Sequence, residues 1–168
     1  HLEASVHTDE LTGVGNRRAF DVALAAMLAR RAKGGSDLCL VMIDLDHFKR
    51  YNDTHGHLAG DQALRHSGAL LRAALRPGDI AARYGGEEFA VLLPGIDEAS
   101  AMMVAERLCR DFRIADWPFE TITASLGVAE AGQGESPFSL VSRADAALYA
   151  AKAAGRDRVA GAVPYAGE

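Results

Sequence analysis

Cysteine is nearly absent from this chain of 168 residues. The two that occur, Cys39 inside an apolar run and Cys109 inside a helical pattern, sit where small core residues belong. That excludes a disulfide-stapled scaffold and fits a reducing, cytoplasmic setting. Long apolar runs are absent as well: none approaches the ~20 residues that a bilayer-spanning helix requires. The N-terminus also lacks the charged and then apolar pattern of a signal peptide. No membrane contact is expected of this domain, although a longer protein carrying it could be anchored. An excess of positive charge is missing too. With a net charge of −5 the chain has no general basic surface to neutralise nucleic-acid phosphates, which leaves only local basic residues to meet a nucleotide. Internal repeats and low-complexity tracts are also lacking.

What is there is a globular composition, 49% hydrophobic and 24% charged, in a length that suits one domain with a real core. Phe20, Leu24, Met27 and Leu28 share one helix face, ended by Gly34-Gly35. Leu38 to Asp46 is an apolar run that ends in acid, at Asp44 and Asp46, as a buried central strand with carboxylates at its C-terminal edge would. A helix is predicted from Asp61, with Leu64, Leu71 and Leu75 on one stripe and Pro77-Gly78 as its stop. Ala101, Ala105, Leu108 and Phe112 mark another. Ile122, Ala124, Leu126 and Val128 alternate with Thr123, Ser125 and Gly127 as a half-buried strand, and Ser136-Pro137 opens a last helix. Strands joined both by a hairpin and by helices predict an α/β (α+β) fold with one sheet covered by helices.

The most informative stretch is Arg83-Tyr84-Gly85-Gly86-Glu87-Glu88-Phe89. Two strand-like runs, Ile80 to Tyr84 and Phe89 to Leu93, flank a glycine turn and so predict a hairpin. Gly85 and Gly86 can take positive φ at no cost and, lacking Cβ atoms, let a phosphate approach the backbone. A bland alternative is a surface hairpin whose glutamates face water. If this hairpin and the strand ending at Asp44 share one sheet, Asp44 and Glu87 meet. Carboxylates supplied singly, with water and phosphate as the other ligands, suit Mg²⁺.

These residues resemble the signature of the GGDEF family, the diguanylate cyclases, in its GGEEF form. Asp9 to Arg18 resembles the family's opening motif, Asp44 to Asp53 with Gly56 to Asp61 its substrate block, and Ala146 to Arg156 its closing motif. The resemblance implies a palm-like, mainly antiparallel central sheet flanked by helices, as in class III nucleotide cyclases. It spans residues 8–160, with residues 1–7 as the remnant of a connection to an upstream sensory or dimerisation segment and residues 161–168 as a small-residue tail. Gly15 departs from the proline of many members, which is expected to loosen the opening turn.

The resemblance implies condensation of two GTP molecules into cyclic di-GMP, each 3′-hydroxyl attacking the other's α-phosphate with loss of pyrophosphate, on a metal site of Mg²⁺ or alternatively Mn²⁺. Asp44, Glu87 and the Leu45 backbone carbonyl are the implied ligands, and Glu87 is also the candidate catalytic base. Guanine offers N1–H and its amine side by side to one carboxylate, a role that suits Asp61, with Asn52 on the same base; Asp61 would equally serve as a helix N-cap. Lys49, Lys152 and Arg156 are candidates for the triphosphate, the last two expected on one turn of the final helix, where they would also be ordinary helix C-terminal cations. Gly85, Gly86 and His57 are further expected substrate contacts. His55 and His57 have no metal-ligand partners in sequence, so zinc is not expected.

Arg76-Pro77-Gly78-Asp79 matches the family's RxxD inhibitory site for the product, with Arg107 as a candidate second arm; Pro-Gly is also plain turn sequence. A single site holding one GTP cannot close the product, so turnover is expected to need a homodimer, which no heptad repeat of this chain enforces. Two alternatives stand beside the enzyme. A silent cyclic di-GMP receptor would predict a broken glycine turn or a lost metal ligand, and a cyclase for another nucleotide is opposed by Asp61.

Overall fold

The computed structural model describes residues 6–167. The element order is α1 (Arg17–Ala32), β1 (Leu38–Leu45), α2 (Phe48–His55), α3 (His57–Ala74), β2 (Ile80–Arg83), β3 (Glu88–Pro94), α4 (Glu98–Ile114), β4 (Ala124–Glu130), α5 (Pro137–Ala153) and β5 (Val159–Gly161). One five-stranded sheet has the order β2-β3-β1-β4-β5. All of its pairings are antiparallel except the last, β4 with β5. The mixed fold with helices on both faces agrees with the sequence reading.

β1 lies at the centre, with all eight of its residues buried and all of them apolar except Asp44. Cys39, Val41 and Ile43 join Phe89, Val91, Leu93, Ala124, Leu126 and Val128 beneath α2, α3 and α4. Leu38, Leu40 and Met42 turn the other way, onto Phe20, Leu24 and Leu28 of α1 and Leu140, Ala144 and Leu148 of α5. Both cysteines are buried and free, and burial pushes their thiols up, Cys39 to about 12 and Cys109 to about 11.

Several expectations need correction. The helix predicted from Asp61 begins four residues earlier, at His57, and α2 had no periodic signal of its own. β4 is covered on both faces instead of one. Its polar-side residues are small: a Cβ on Gly127 would come within 2.3 Å of the Ala144 carbonyl oxygen and the Leu148 nitrogen, so glycine there lets α5 lie directly on the sheet. The supposed tail contributes structure, since Gly161 ends β5, Ala162 N–H donates to the Val128 carbonyl at 2.7 Å, and Tyr165 fills the space beside Gly132. The opening turn is not loosened by Gly15. Its N–H donates to the Ala81 carbonyl at 2.9 Å, a bond that proline could not make, and its carbonyl accepts from Arg83 N–H at 2.8 Å. Residues 1–5, within the expected connecting segment, and Glu168 lie outside the described residues.

α5 is anchored at its start. Ser136 caps it by accepting from Ser139 N–H, and the buried Glu135 accepts from the Gly132 N–H at 2.9 Å, the Ser139 hydroxyl at 2.6 Å and two nitrogens of Arg143 at 2.8 and 2.9 Å. Burial alone would push the Glu135 carboxyl up, but those donors outweigh it and hold it below the ordinary carboxylate range. A depressed acid adds stability that is present above its unfolded value and lost as the pH falls through its folded value. Glu135→Gln is therefore expected to lower Tm at pH 7, with the gap to the unmodified protein narrowing under acid; thermal unfolding followed across pH measures both.

Candidate active site

β1 runs out at the edge where the β2–β3 turn crosses it, and the ladder register decides what meets there. Asp44 stands opposite Glu88 of β3 on one side and Ser125 of β4 on the other. Leu45 N–H donates to the Glu87 carbonyl at 3.2 Å, which ties the turn to the strand end. The turn is braced from within, because the Arg83 guanidinium donates twice to the Gly86 carbonyl, at 2.9 and 3.0 Å. Neither Gly85 nor Gly86 takes the positive φ that the sequence suggested. What they leave is open space: a Cβ at Gly86 would meet nothing, and one at Gly85 would touch a Glu88 carboxylate oxygen at 3.0 Å.

Asp44 is only 7% exposed. Its Oδ2 accepts from the Lys152 ammonium of α5, while its Oδ1 is buried with no partner in the protein. An orphaned, buried carboxylate oxygen is costly unless something else satisfies it. Glu88, beside Asp44 on the same face, has its carboxyl pushed up by burial first and then by the charge of Asp44.

Two adjoining cavities share Phe48, Lys49 and Glu87. The smaller, about 200 Å³, is lined by Asp44, Leu45, Asp46, Lys152 and Arg156. The larger, about 440 Å³, is lined by Asn52, Asp61, Leu64, Arg83 and Gly86. The structure thus brings together Asp44, Leu45, Lys49, Glu87, Lys152 and Arg156 on one side and Asn52, Asp61 and Gly86 on the other. It does not bring in His57, the exposed first residue of α3, or Gly85, which line neither cavity. Lys152 and Arg156 converge, but not on one helical turn as expected. α5 ends at Ala153, and Arg156 follows in a loop at φ 63°. Among the described residues no set of three His, Cys, Asp or Glu side chains converges as a ready-made metal cage.

Asn52 depends on its neighbour. A Cβ on Gly60 would fall 1.7 Å from Asn52 Oδ1, so only glycine there lets the amide lie where it does, and that oxygen too is buried without a partner. Arg76 and Asp79 are paired at 2.9 Å, with the guanidinium also donating to the Pro94 carbonyl at 3.0 Å. They line a separate cavity of about 470 Å³ together with Arg72. Arg107 donates to the Ala74 carbonyl at the end of α3 but lines a different groove, with Met103 and Arg110.

A family model described as diguanylate cyclase, GGDEF domain, matches residues 6–158. The chain belongs to the GGDEF family. It is 44% identical over 156 residues to the diguanylate cyclase DgcP of Pseudomonas aeruginosa, covering 90% of this chain and 23% of that protein. The coiled coil and GGDEF domain of DgcB from Caulobacter crescentus, solved in complex with c-di-GMP, superposes with a TM-score of 0.90 at 39% identity, covering 96% of this chain and 88% of that one. The active GGEEF domain of a diguanylate cyclase from Vibrio cholerae gives 0.83 at 30% identity, covering 89% and 98%. The chain spans less than half of the length of the first curated relatives it matches.

Sequence reasoning missed two residues that line this GGDEF site, Asp46 and Arg83, and a third, Glu88, that stands beside Asp44 without lining either cavity. Glu88 is placed beside Asp44 by strand register, which no motif displays. Asp46 had a usable signal, since two positions beyond Asp44 in a strand means the same face. Arg83 had none. Gly60→Ala, a favourable change for an isolated helix, is expected to leave Tm nearly unchanged while displacing Asn52. Titration with a fluorescent GTP analogue should then show binding weakened by about tenfold, the loss of one or two hydrogen bonds.

Proposed function

We propose that this domain is a diguanylate cyclase that joins two GTP molecules into cyclic di-GMP with release of two pyrophosphates. The observation that carries the reading is the unpartnered, buried Oδ1 of Asp44 in a small cavity with Glu87, Lys152 and Arg156, opening onto a second cavity that holds Asn52 and Asp61. The names of the relatives and the cyclic di-GMP bound in the DgcB structure support it.

Each residue then has a task. Asp61 accepts from N1–H and the amine of guanine, and Asn52 contacts the same base; adenine would present a lone pair to that carboxylate, which favours GTP. Lys49, Lys152 and Arg156 neutralise the phosphates. Asp44 and Glu87, with the Leu45 carbonyl, offer the hard oxygen set that fits Mg²⁺, which takes its remaining ligands from water and phosphate. When bound there, the ion would stabilise charge on the α-phosphate and on the departing pyrophosphate. Glu87 lines both cavities and is the carboxylate assigned to take the 3′-hydroxyl proton. One site holds one GTP, so two domains must face each other for ring closure. Product inhibition is assigned to Arg76 and Asp79: the Arg76 side chain is 55% exposed and can offer its guanidinium to the O6 and N7 edge of guanine.

Purified protein incubated with Mg²⁺ and GTP is expected to form cyclic di-GMP by chromatography, and Glu87→Ala to form at least about 100-fold less, the scale of losing a general base. ATP turned over as well as GTP, or equal product from Glu87→Ala, would refute the assignment. Specific activity is expected to climb with enzyme concentration, because the competent species is a dimer. A flat specific activity over a hundredfold dilution, roughly the span over which a weak dimer dissociates, would count against it.

A further inference from the structure

Three successive residues after α5 adopt positive φ: Gly155 at 129°, Arg156 at 63° and Asp157 at 51°. Two of them carry side chains, for which this region of backbone space is unfavourable and persists only where surrounding contacts impose it. The contacts converge on Asp157. Its N–H donates to Asp46 Oδ2 at 3.0 Å, and its carboxylate accepts from Arg113 Nε of α4 at 3.1 and 3.2 Å. Asp46 is 7% exposed, and its other bonds come from the Thr123 hydroxyl to Oδ2 and the Ser125 hydroxyl to Oδ1, both at 2.7 Å. One buried carboxylate thus fastens the end of β1 and the start of β4 to the loop that presents Arg156 to the smaller cavity.

We propose that Asp46 is the positioning residue that imposes the left-handed conformation on Arg156-Asp157 and so aims Arg156 at the nucleotide phosphates. The proposal rests on the phosphate role given to Arg156 above. Asp46 does not touch the phosphates; it acts through the Asp157 amide. Without an acceptor at Oδ2 the loop keeps the Arg113 pair of Asp157 and the Arg156 N–H bond to the Ala151 carbonyl at 3.0 Å but loses its tie to the end of β1, and the guanidinium leaves the cavity.

The test is a double-mutant cycle read by calorimetric binding of a non-hydrolysable GTP analogue and, separately, of guanosine, which has no phosphate. Asp46→Ala is expected to weaken the analogue by about tenfold, as loss of one charge-assisted contact would. It should leave guanosine binding unchanged and add nothing in an Arg156→Ala background. Asp46→Asn, whose amide oxygen can still accept from the Asp157 N–H, should restore most of the affinity. Thr123→Val, which removes one donor and keeps the carboxylate, should give the same pattern at smaller amplitude and serves if Asp46→Ala does not fold. Equal weakening of analogue and guanosine, or full additivity with Arg156→Ala, overturns the proposal. If Arg156→Ala weakens the analogue and neither Asp46→Ala nor Thr123→Val does, the positioning role falls alone; if Arg156→Ala changes nothing, the phosphate site falls with it.

Discussion

A carboxylate at the end of a strand buried on both faces has to be neutralised, and the ion pair between Asp44 and Lys152 is the constraint on which the rest of this structure depends. Removing Lys152 would strand a carboxylate whose side chain is 10% exposed, whereas the ammonium, 30% exposed, can turn to water. The pair can form only if α5 lies close on the sheet at the height of β1's last residues. That in turn requires Gly127 in β4, where any side chain would strike the α5 backbone. The Glu135 network and the Ser136 cap then fix where the helix begins. Core packing and site geometry are in this sense one problem.

The site is consequently built from rigid pieces and short turns. β1 supplies Asp44 and Leu45, and the turn after it Asp46; the β2–β3 turn supplies Glu87 and is held by Arg83; α2 and α3 bring Asn52 and Asp61 together because Gly60 leaves room. Among the described residues five buried side-chain atoms lack a protein partner, and two of them, Asp44 Oδ1 and Asn52 Oδ1, belong to this region; the others are Arg31 Nε, Tyr51 Oη and His66 Nε2. Folding has tolerated two unsatisfied buried acceptors there, as expected where stability is given up for a ligand.

Much of this was legible beforehand. The apolar run of β1, the glycine turn and the face spacing of α1 and α4 all have periods or breakers that physical chemistry reads directly. α2 was not legible: in Phe48–His55 only Phe48 and Tyr51 are buried, too few to mark a face. β5 was missed because a run of three residues, Val159-Ala160-Gly161, is too short to carry a strand pattern, and it forms through pairing with β4. The glycines of the turn were read as free to take positive φ and as leaving room for a phosphate; neither takes positive φ, and the space over Gly86 is open.

By itself the sequence determined the chemical inventory, carboxylates on a glycine turn, an acid at the end of an apolar strand, and basic residues near the close of the last helix, because local periodicity and residue chemistry need no partner to be read. Only the tertiary structure decided which of these meet. Strand register set Asp44 beside Glu88, and the left-handed loop turned Arg156 back beside Lys152 after the helix had ended. His57, although within the matched motif, was left outside. Those outcomes depend on contacts between residues as many as 111 positions apart, such as Asp46 and Asp157, and no local pattern in the chain encodes a contact of that range.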